Sequence, residues 1–226
     1  MSAETPMFIT LEGGEGAGKT TQIVHLAGFL AERGVKSILT REPGGTVIGK
    51  RIRAVLLNPE HAGMAPETEL LLYMADRAEH VQTVIRPTLA DGTSVLCDRF
   101  FDATIVYQGA ARGLSAEWIG RLHDLLFAGL KPDLTLLLDL TPEAGLARAR
   151  RQLEQGVRAR GEGRFEAESM DFHQRVRAGY LALARQDPER FRVIDAGRDE
   201  APVRRDILAA VEELLLRRRE TLSRTR

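Results

Sequence analysis

The chain has 226 residues, 43% of them hydrophobic, and its 32 basic residues are balanced by 32 acidic ones. This length and apolar content suffice for a full core, and the absence of a basic excess gives no reason to expect a nucleic-acid partner. The single cysteine, Cys97, excludes an internal disulfide framework. Residues 1–6 do not resemble a signal peptide and no apolar run reaches the length of a membrane span, so we expect a cytoplasmic protein without a membrane partner.

A glycine-rich loop lies between a predicted strand at residues 7–11 and a predicted helix at residues 21–33. It reads GGEGAGKTT and fits the phosphate-loop pattern G-x-x-x-x-G-K-T. Glycines let successive backbone N–H groups point at an anion, and the start of the helix adds its dipole. We expect Lys19 to reach the β- and γ-phosphates of ATP and the Thr20 hydroxyl to bind Mg²⁺. The predicted ATP-binding residues of the loop are Gly13, Gly14, Glu15, Gly16, Ala17, Gly18, Lys19, Thr20 and Thr21.

After this loop the chain alternates strands with helices. Further strands are predicted at 37–40, 94–99, 134–139 and 191–195, and further helices at 48–56, 66–85, 104–109, 115–127, 168–185 and 202–216. This alternation predicts an α/β fold of the phosphate-loop type, with a mostly parallel five-stranded sheet and helices on both faces. The helix that begins at residue 66 is predicted to end before Pro87. We expect one domain over residues 1–226, with a frayed tail at 217–226.

The predicted third strand delivers Asp98 and Arg99 to its carboxyl end, beside the phosphate loop. An acid at this place is typical of a carboxylate on the Mg²⁺ side of a nucleotide site. The guanidinium of Arg99 offers a fork of donors that suits a second phosphate group. On these two residues alone, a simple surface ion pair between Arg99 and an acid remains an alternative.

The segment from residue 148 to residue 164 is rich in arginine and contains three glycines. Its arginines are Arg148, Arg150, Arg151, Arg158, Arg160 and Arg164. By itself this pattern fits either a solvated surface loop or a mobile lid. The phosphate loop in the same chain favours a small lid, at about residues 148–166, that closes over polyphosphate.

Taken together, these motifs resemble those of the thymidylate kinase family. The resemblance rests on the phosphate loop, on REPGGT at 41–46, on Asp98 with Arg99, on YQG at 107–109, on KPD at 131–133 and on RFE at 164–166, and it extends over residues 8–211. It implies transfer of the γ-phosphoryl group of ATP to dTMP with Mg²⁺, by a phosphate-loop protein that forms a homodimer.

The resemblance also implies how the base of dTMP is bound. Tyr73 falls where the family stacks an aromatic ring on thymine, and Arg77, one helical turn away, falls where the O4 edge is bound. Thr104 and Gln108 fall at positions that read the base. Without the surrounding motifs, Tyr73 would be interpreted as a core residue.

The phosphate and sugar of dTMP are assigned in the same way. Arg53 and Arg99 correspond to the family's grip on the acceptor phosphate, and Tyr107 lies under the sugar, where its ring would exclude a ribose 2′-hydroxyl. Glu15 corresponds to a carboxylate that accepts a hydrogen bond from the acceptor's 3′-hydroxyl. All of these residues together form the implied substrate site: Glu15, Arg53, Tyr73, Arg77, Arg99, Thr104, Tyr107 and Gln108.

Members of the family with an acid in the phosphate loop carry phosphate-stabilising arginines in the lid. The residues expected to act in catalysis are Lys19, Glu15, Arg99, Arg164 and Arg160, and the predicted metal-side residues are Thr20 and Asp98. We expect catalysis by positioning and charge, without a covalent intermediate. Ala196 and Gly197 form the expected adenine-side turn, with Arg148 as its stacking partner.

Two other functions stay open at this point. One is a kinase for another small acceptor, such as a different nucleoside monophosphate. The other is a phosphate-loop ATPase that acts as a conformational switch. The second would need a residue that positions a water molecule for hydrolysis, and the sequence offers no candidate for it.

Overall fold

Five parallel strands form the central sheet, as the alternating pattern predicts. The computed structural model describes residues 5–155 and 162–224. The strands are β1 (Phe8–Glu12), β2 (Ser37–Arg41), β3 (Ser94–Asp98), β4 (Leu134–Asp139) and β5 (Phe191–Asp195). Their order across the sheet is β2-β3-β1-β4-β5, and every neighbouring pair is parallel.

Helices cover both faces of this sheet. They are α1 (Lys19–Glu32), α2 (Val47–Leu57), α3 (Pro66–His80), α4 (Arg86–Ala90), α5 (Phe101–Thr104), α6 (Ala116–Phe127), α7 (Pro142–Glu154), α8 (Met170–Gln186) and α9 (Glu200–Arg224). Successive side chains of a strand point to opposite faces, and β1 shows this directly. Ile9 packs in the core under α1 and α9, whereas Phe8 packs in a separate core with residues of α3 and α6.

The parallel arrangement brings the ends of three strands to one edge. Leu11 of β1 and Arg41 of β2 both lie in register with Asp98 of β3. The phosphate loop, the loop at 42–46 and Arg99 therefore leave the sheet side by side. Ligands bind at such carboxyl edges in open α/β sheets.

The prediction that the third long helix ends before Pro87 is wrong. After α3 the chain continues through a π-helical turn, Val81–Ile85, directly into α4, which contains Pro87. In this turn the N–H of Arg86 donates to the carbonyl of Val81, five residues back. A π turn is wider than an α turn, so the chain accommodates a proline that lacks an N–H and would crowd a regular helix.

The end of the chain also differs from expectation, because α9 runs through Arg224 instead of ending near residue 216. Arg218 fixes this extension: its Nη1 donates to the carbonyls of Thr5 and Pro6, and its Nη2 lies 2.6 Å from Oδ1 of Asp133. No helix in the described ranges is both long and apolar enough to cross a membrane.

The arginine-rich segment begins on a helix and not in a loop. Arg148, Arg150 and Arg151 all belong to α7. After Glu162 the chain forms a short 3-10 turn, Phe165–Ala167. Arg158 and Arg160 lie outside the described residues.

Candidate active site

A cleft of about 460 Å³ opens at the carboxyl edge of the sheet. This volume falls in the range of small-molecule sites. Both the predicted ATP loop and the predicted acceptor residues line it. The predicted residues in its wall are Glu15, Gly16, Ala17, Gly18, Lys19, Thr20, Thr21, Arg53, Tyr73, Arg77, Asp98, Arg99, Thr104, Tyr107 and Gln108.

The phosphate loop needs its glycines for two separate reasons. Gly18, with φ of 92°, caps α1 and has no side chain that could cover the first N–H groups of the helix. Gly16, with φ of 67°, lies so close to α7 that a Cβ atom would approach the carbonyl oxygen of Gly145 to 2.1 Å. The loop is therefore clamped between α1 and α7, with its backbone donors open to an anion.

Lys19 lies folded onto the loop. Its Nζ donates to the carbonyls of Gly13 at 3.0 Å and Gly14 at 2.8 Å. Burial and the charge of Arg99 together lower the pKa of Lys19 to about 8, against the opposing effect of nearby acids. A bound phosphate would favour the charged ammonium in the same place.

Thr20 and Asp98 provide oxygen atoms at the edge of this loop. Thr20 Oγ1 donates to Oδ2 of Asp98 at 3.1 Å. A hydroxyl beside a carboxylate fits Mg²⁺, which prefers oxygen ligands and usually relies on few protein groups plus substrate phosphates. Within residues 5–155 and 162–224 there is no cluster of three or more His, Cys, Asp or Glu side chains that could hold a metal ion.

Glu15 and Arg99 occupy the centre of the cleft. Arg99 Nη2 lies 3.1 Å from Oε1 of Glu15, and the hydroxyl of Tyr107 donates to the same oxygen at 2.7 Å. Burial acts to raise the pKa of Glu15, but neighbouring His173, the charges of Arg99 and Lys19 and the Tyr107 hydroxyl together lower it. Glu15 is thus held as a carboxylate that can accept a hydrogen bond from a ligand.

Two residues that sequence reasoning missed hold Arg99 in place. Glu12 Oε1 accepts from the N–H of Phe100 at 2.7 Å, and the Tyr180 hydroxyl donates to Glu12 Oε2 at 2.7 Å and contacts Arg99 Nη1 at 3.1 Å. Arg99 has φ of 69°, a left-handed conformation that is uncommon for a residue with a Cβ. Burial raises the pKa of Glu12 to about 7, and the charge of Asp102 adds to this effect. Only the position of Glu12, an acid at the end of an apolar strand, could have indicated its role.

The predicted base-binding arginine lies at the other end of the cleft. Arg77 is 1% exposed; its Nε donates to Glu42 Oε2 at 2.8 Å and its Nη2 to Thr104 Oγ1 at 2.9 Å. Thr104 is therefore a support for Arg77 as well as part of the wall. Tyr73 lines the same end, and burial raises the pKa of its hydroxyl.

Arg53 is paired with a carboxylate at the mouth of the cleft. Its Nε and Nη2 donate to the two oxygens of Glu162 at 2.8 and 2.7 Å, and its Nη1 donates to the carbonyl of Pro43. This bidentate geometry is the one that guanidinium groups also use with phosphate.

The structure does not bring Arg164 to the cleft. This side chain is buried, with Nε donating to the carbonyl of Leu56 at 2.5 Å and Nη2 to Glu69 Oε2 at 2.6 Å. The sequence interpretation of Arg164 as a lid arginine that contacts the transferring group does not agree with this position. Its partners lie 95 or more residues away in sequence, so local pattern gave no sign of them.

The residues predicted to flank the adenine lie beside one another. Arg148 Nη1 on α7 donates to the carbonyl of Ala196 at 3.0 Å, and the N–H of Gly197 donates to Asp195 Oδ1. The turn after β5 and the guanidinium of α7 are thus adjacent.

Comparison with known proteins agrees with these features. The family model described as thymidylate kinase matches residues 11–207. The chain is 55% identical over 208 residues to a thymidylate kinase of Desulfosudis oleivorans, covering 92% of this chain and 97% of the relative. It is 50% identical over 212 residues to one from Desulfovibrio desulfuricans, covering 94% and 98% of the two chains.

A solved structure supports the fold as well as the family. The crystal structure of thymidylate kinase from Ehrlichia chaffeensis matches with a TM-score of 0.72 and 34% identity, over 91% of this chain and 98% of that chain. These matches favour neither an ATPase switch nor a kinase for an unrelated acceptor. The chain belongs to the thymidylate kinase family.

Proposed function

We propose that this cleft phosphorylates dTMP with the γ-phosphoryl group of ATP, the reaction for which the family is named. The observation that carries the proposal is the convergence of two different anion-binding groups in one cleft. The backbone donors of the loop and Lys19 form one group, Arg53 and Arg99 form the other, and both groups line the cleft. A hydrolase needs only the first group, whereas a kinase whose acceptor is itself a phosphate needs both.

On the donor side, the phosphate loop would bind the ATP polyphosphate and α1 would add its dipole. Thr20 and Asp98 would hold Mg²⁺, which neutralises charge on the β- and γ-phosphates when it is bound. Lys19 would release the carbonyl oxygens of Gly13 and Gly14 and donate to the phosphate oxygens instead. The phosphate oxygens carry more negative charge than the carbonyl oxygens, so they are better acceptors for the ammonium group. Ala196, Gly197 and Arg148 would flank the adenine.

On the acceptor side, Arg53 and Arg99 would hold the dTMP phosphate in line with the γ-phosphoryl group. Glu15 supports this role because its Oε2 is buried and, among the described residues, has no contact shorter than the 3.5 Å to Nδ1 of His173. A buried acceptor of this kind fits a donor from a ligand, such as the 3′-hydroxyl of the sugar. Tyr107, which donates to the other oxygen of Glu15, would lie beneath the same sugar.

We further propose that the protein is a cytoplasmic homodimer. Helices α2, α3 and α6 are neighbours and expose large apolar side chains. These include Val47 (75% exposed), Leu71 (57%) and Leu125 (81%). Exposed apolar side chains on adjacent helices fit a subunit contact. Light scattering that gives a monomer mass at micromolar concentration would contradict the dimer.

The activity can be tested with the purified chain in a coupled ADP-release assay. We expect Mg²⁺-dependent turnover with dTMP, little turnover with dCMP, dAMP or dGMP, and almost none without an acceptor. ADP release that does not depend on an acceptor would support an ATPase instead. Comparable turnover with every monophosphate would show that the base end of the cleft does not select.

A further inference from the structure

We propose that Glu69 is a specificity-determining residue, because it fixes the Gln108 side-chain amide so that its carbonyl oxygen faces the acceptor base. Glu69 does not line the cleft and acts through Gln108, so its role is one of positioning. The inference rests on the proposed function, since it assumes that the base of a nucleoside monophosphate lies beside Gln108.

Glu69, on α3, is fully buried and surrounded by hydrogen-bond donors. Arg164 Nη2 donates to its Oε2 at 2.6 Å, and Arg112 reaches Oε1 and Oε2 at 3.3 Å with Nε and Nη2. Gln108 Nε2 donates to Oε1 at 2.7 Å. A carboxylate that lies between two guanidinium groups accepts their N–H donors, and it offers Gln108 an acceptor.

This acceptor allows one orientation of the Gln108 amide. If the amide were turned over, its Oε1 would face the Glu69 oxygen at the same short distance, and two acceptors would meet without a hydrogen. Gln108 is 1% exposed and sits on the π-helical turn Ile105–Ala111, with one side in the wall of the cleft. The orientation therefore presents a carbonyl, and not an amino group, toward the ligand.

Arg77 is the second half of the recognition pattern. Its guanidinium can only donate, and it lines the same end of the cleft. One fixed donor and one fixed acceptor match the O4 and N3–H edge of thymine or uracil. Cytosine presents the reverse, an exocyclic amino group and an unprotonated N3, so both positions would be mismatched. Leaving buried polar groups unpaired is the strongest way in which a site can reject a close analogue.

The substitution Glu69→Gln tests this directly. The new amide can donate to Gln108 Oε1, which allows Gln108 to turn its amino group toward the base. We expect the ratio of kcat/KM for dTMP to that for dCMP to fall by about tenfold or more. The KM for ATP should stay close to that of the unaltered chain, because Glu69 has no contact with the phosphate loop.

A matched control separates specificity from general damage. Arg112→Met removes one ion pair from Glu69 but leaves the contact between Glu69 and Gln108, so it should lower stability without changing the dTMP to dCMP ratio. If Glu69→Gln does not fold, the double variant Glu69→Gln with Arg112→Met removes one charge of each sign and serves in its place.

The results separate the role of Glu69 in specificity from the proposed phosphorylation of dTMP. If the unaltered chain does not phosphorylate dTMP, the proposed function and the inference fall together. If it does, and a folded Glu69→Gln variant or the double variant keeps the original ratio, only the inference is overturned. A fall in the ratio with Glu69→Gln but not with Arg112→Met supports it.

Discussion

The two ends of the cleft are held together in different ways. At the ATP phosphate end, the loop donors and Lys19 come from one continuous stretch, and its internal contacts, such as Lys19 with Gly13 and Gly14, span five or six residues. At the base end, Arg77 and Gln108 depend on buried acids far away in sequence, with Glu42 35 residues from Arg77 and Glu69 39 residues from Gln108. Binding of the ATP phosphates is therefore a local property of this chain, whereas base selection depends on the packing of residues that are distant in sequence.

The largest effect is expected at the phosphate end. Lys19→Ala should reduce kcat by about a thousandfold or more, because it removes a point charge where negative charge is redistributed during transfer. Its thermal midpoint should change little, since within residues 5–155 and 162–224 the Lys19 ammonium donates only to the loop carbonyls of Gly13 and Gly14. Lys36→Ala, at an exposed lysine outside the cleft, is the matched control and should keep full activity. Wild-type turnover in Lys19→Ala would refute the assignment of the loop.

At the base end, a substitution should affect stability first. Arg164→Ala leaves Glu69 without its closest partner and opens a buried space, so the free energy of unfolding should fall by about 3 kcal/mol. Denaturant unfolding measures this, and Arg164→Lys should recover part of the loss. The sequence-based interpretation predicts instead a loss of kcat by roughly ten- to a thousandfold in a protein of normal stability. Unfolding and steady-state kinetics on the same variant decide between the two.

Arg164 shows where the sequence was insufficient. Hydrophobic periodicity and short motifs predict the order of strands and helices, the phosphate loop, and the position of Asp98 and Arg99 beside that loop. The structure agrees with these three predictions. The burial of Arg164 could not be predicted, because nothing near it in sequence reveals Leu56 or Glu69 as partners. The helix through Pro87 was missed for a similar reason, since a π turn depends on backbone geometry that residue propensities do not encode.

Glu12, which supports Arg99 through Tyr180, should give a pH signature. Its folded-state pKa of about 7 is raised above the reference value of 4.5, so the folded chain binds more protons than the unfolded chain between these values. The contribution of Glu12 to the free energy of unfolding is therefore largest below pH 4.5, and it is lost as the pH rises through about 7. The free energy of unfolding of the wild type relative to Glu12→Gln should fall by up to about 3 kcal/mol between pH 4.5 and pH 8. A difference that does not vary with pH would show that Glu12 titrates normally.

The smallest effect is expected at the mouth of the cleft. Glu162 pairs with Arg53 where the acceptor phosphate is proposed to bind, so dTMP must displace this carboxylate. Glu162→Gln weakens the competing pair and should lower the KM for dTMP by a few-fold, with kcat nearly unchanged. Glu117→Gln, which disrupts an exposed pair with Arg121, is the control and should have no kinetic effect. An increase in the KM for dTMP would mean that Glu162 assists acceptor binding.

The most direct test of the division between the two ends is a crystal structure with dTMP and without ATP. We expect the phosphate of dTMP on Arg53 and Arg99, with Glu162 displaced from Arg53. We also expect the thymine ring against Tyr73, with O4 toward Arg77 and N3 toward Gln108. A dTMP molecule with its phosphate in the loop at Gly13 to Thr20, or with its base away from Arg77 and Gln108, would contradict the account.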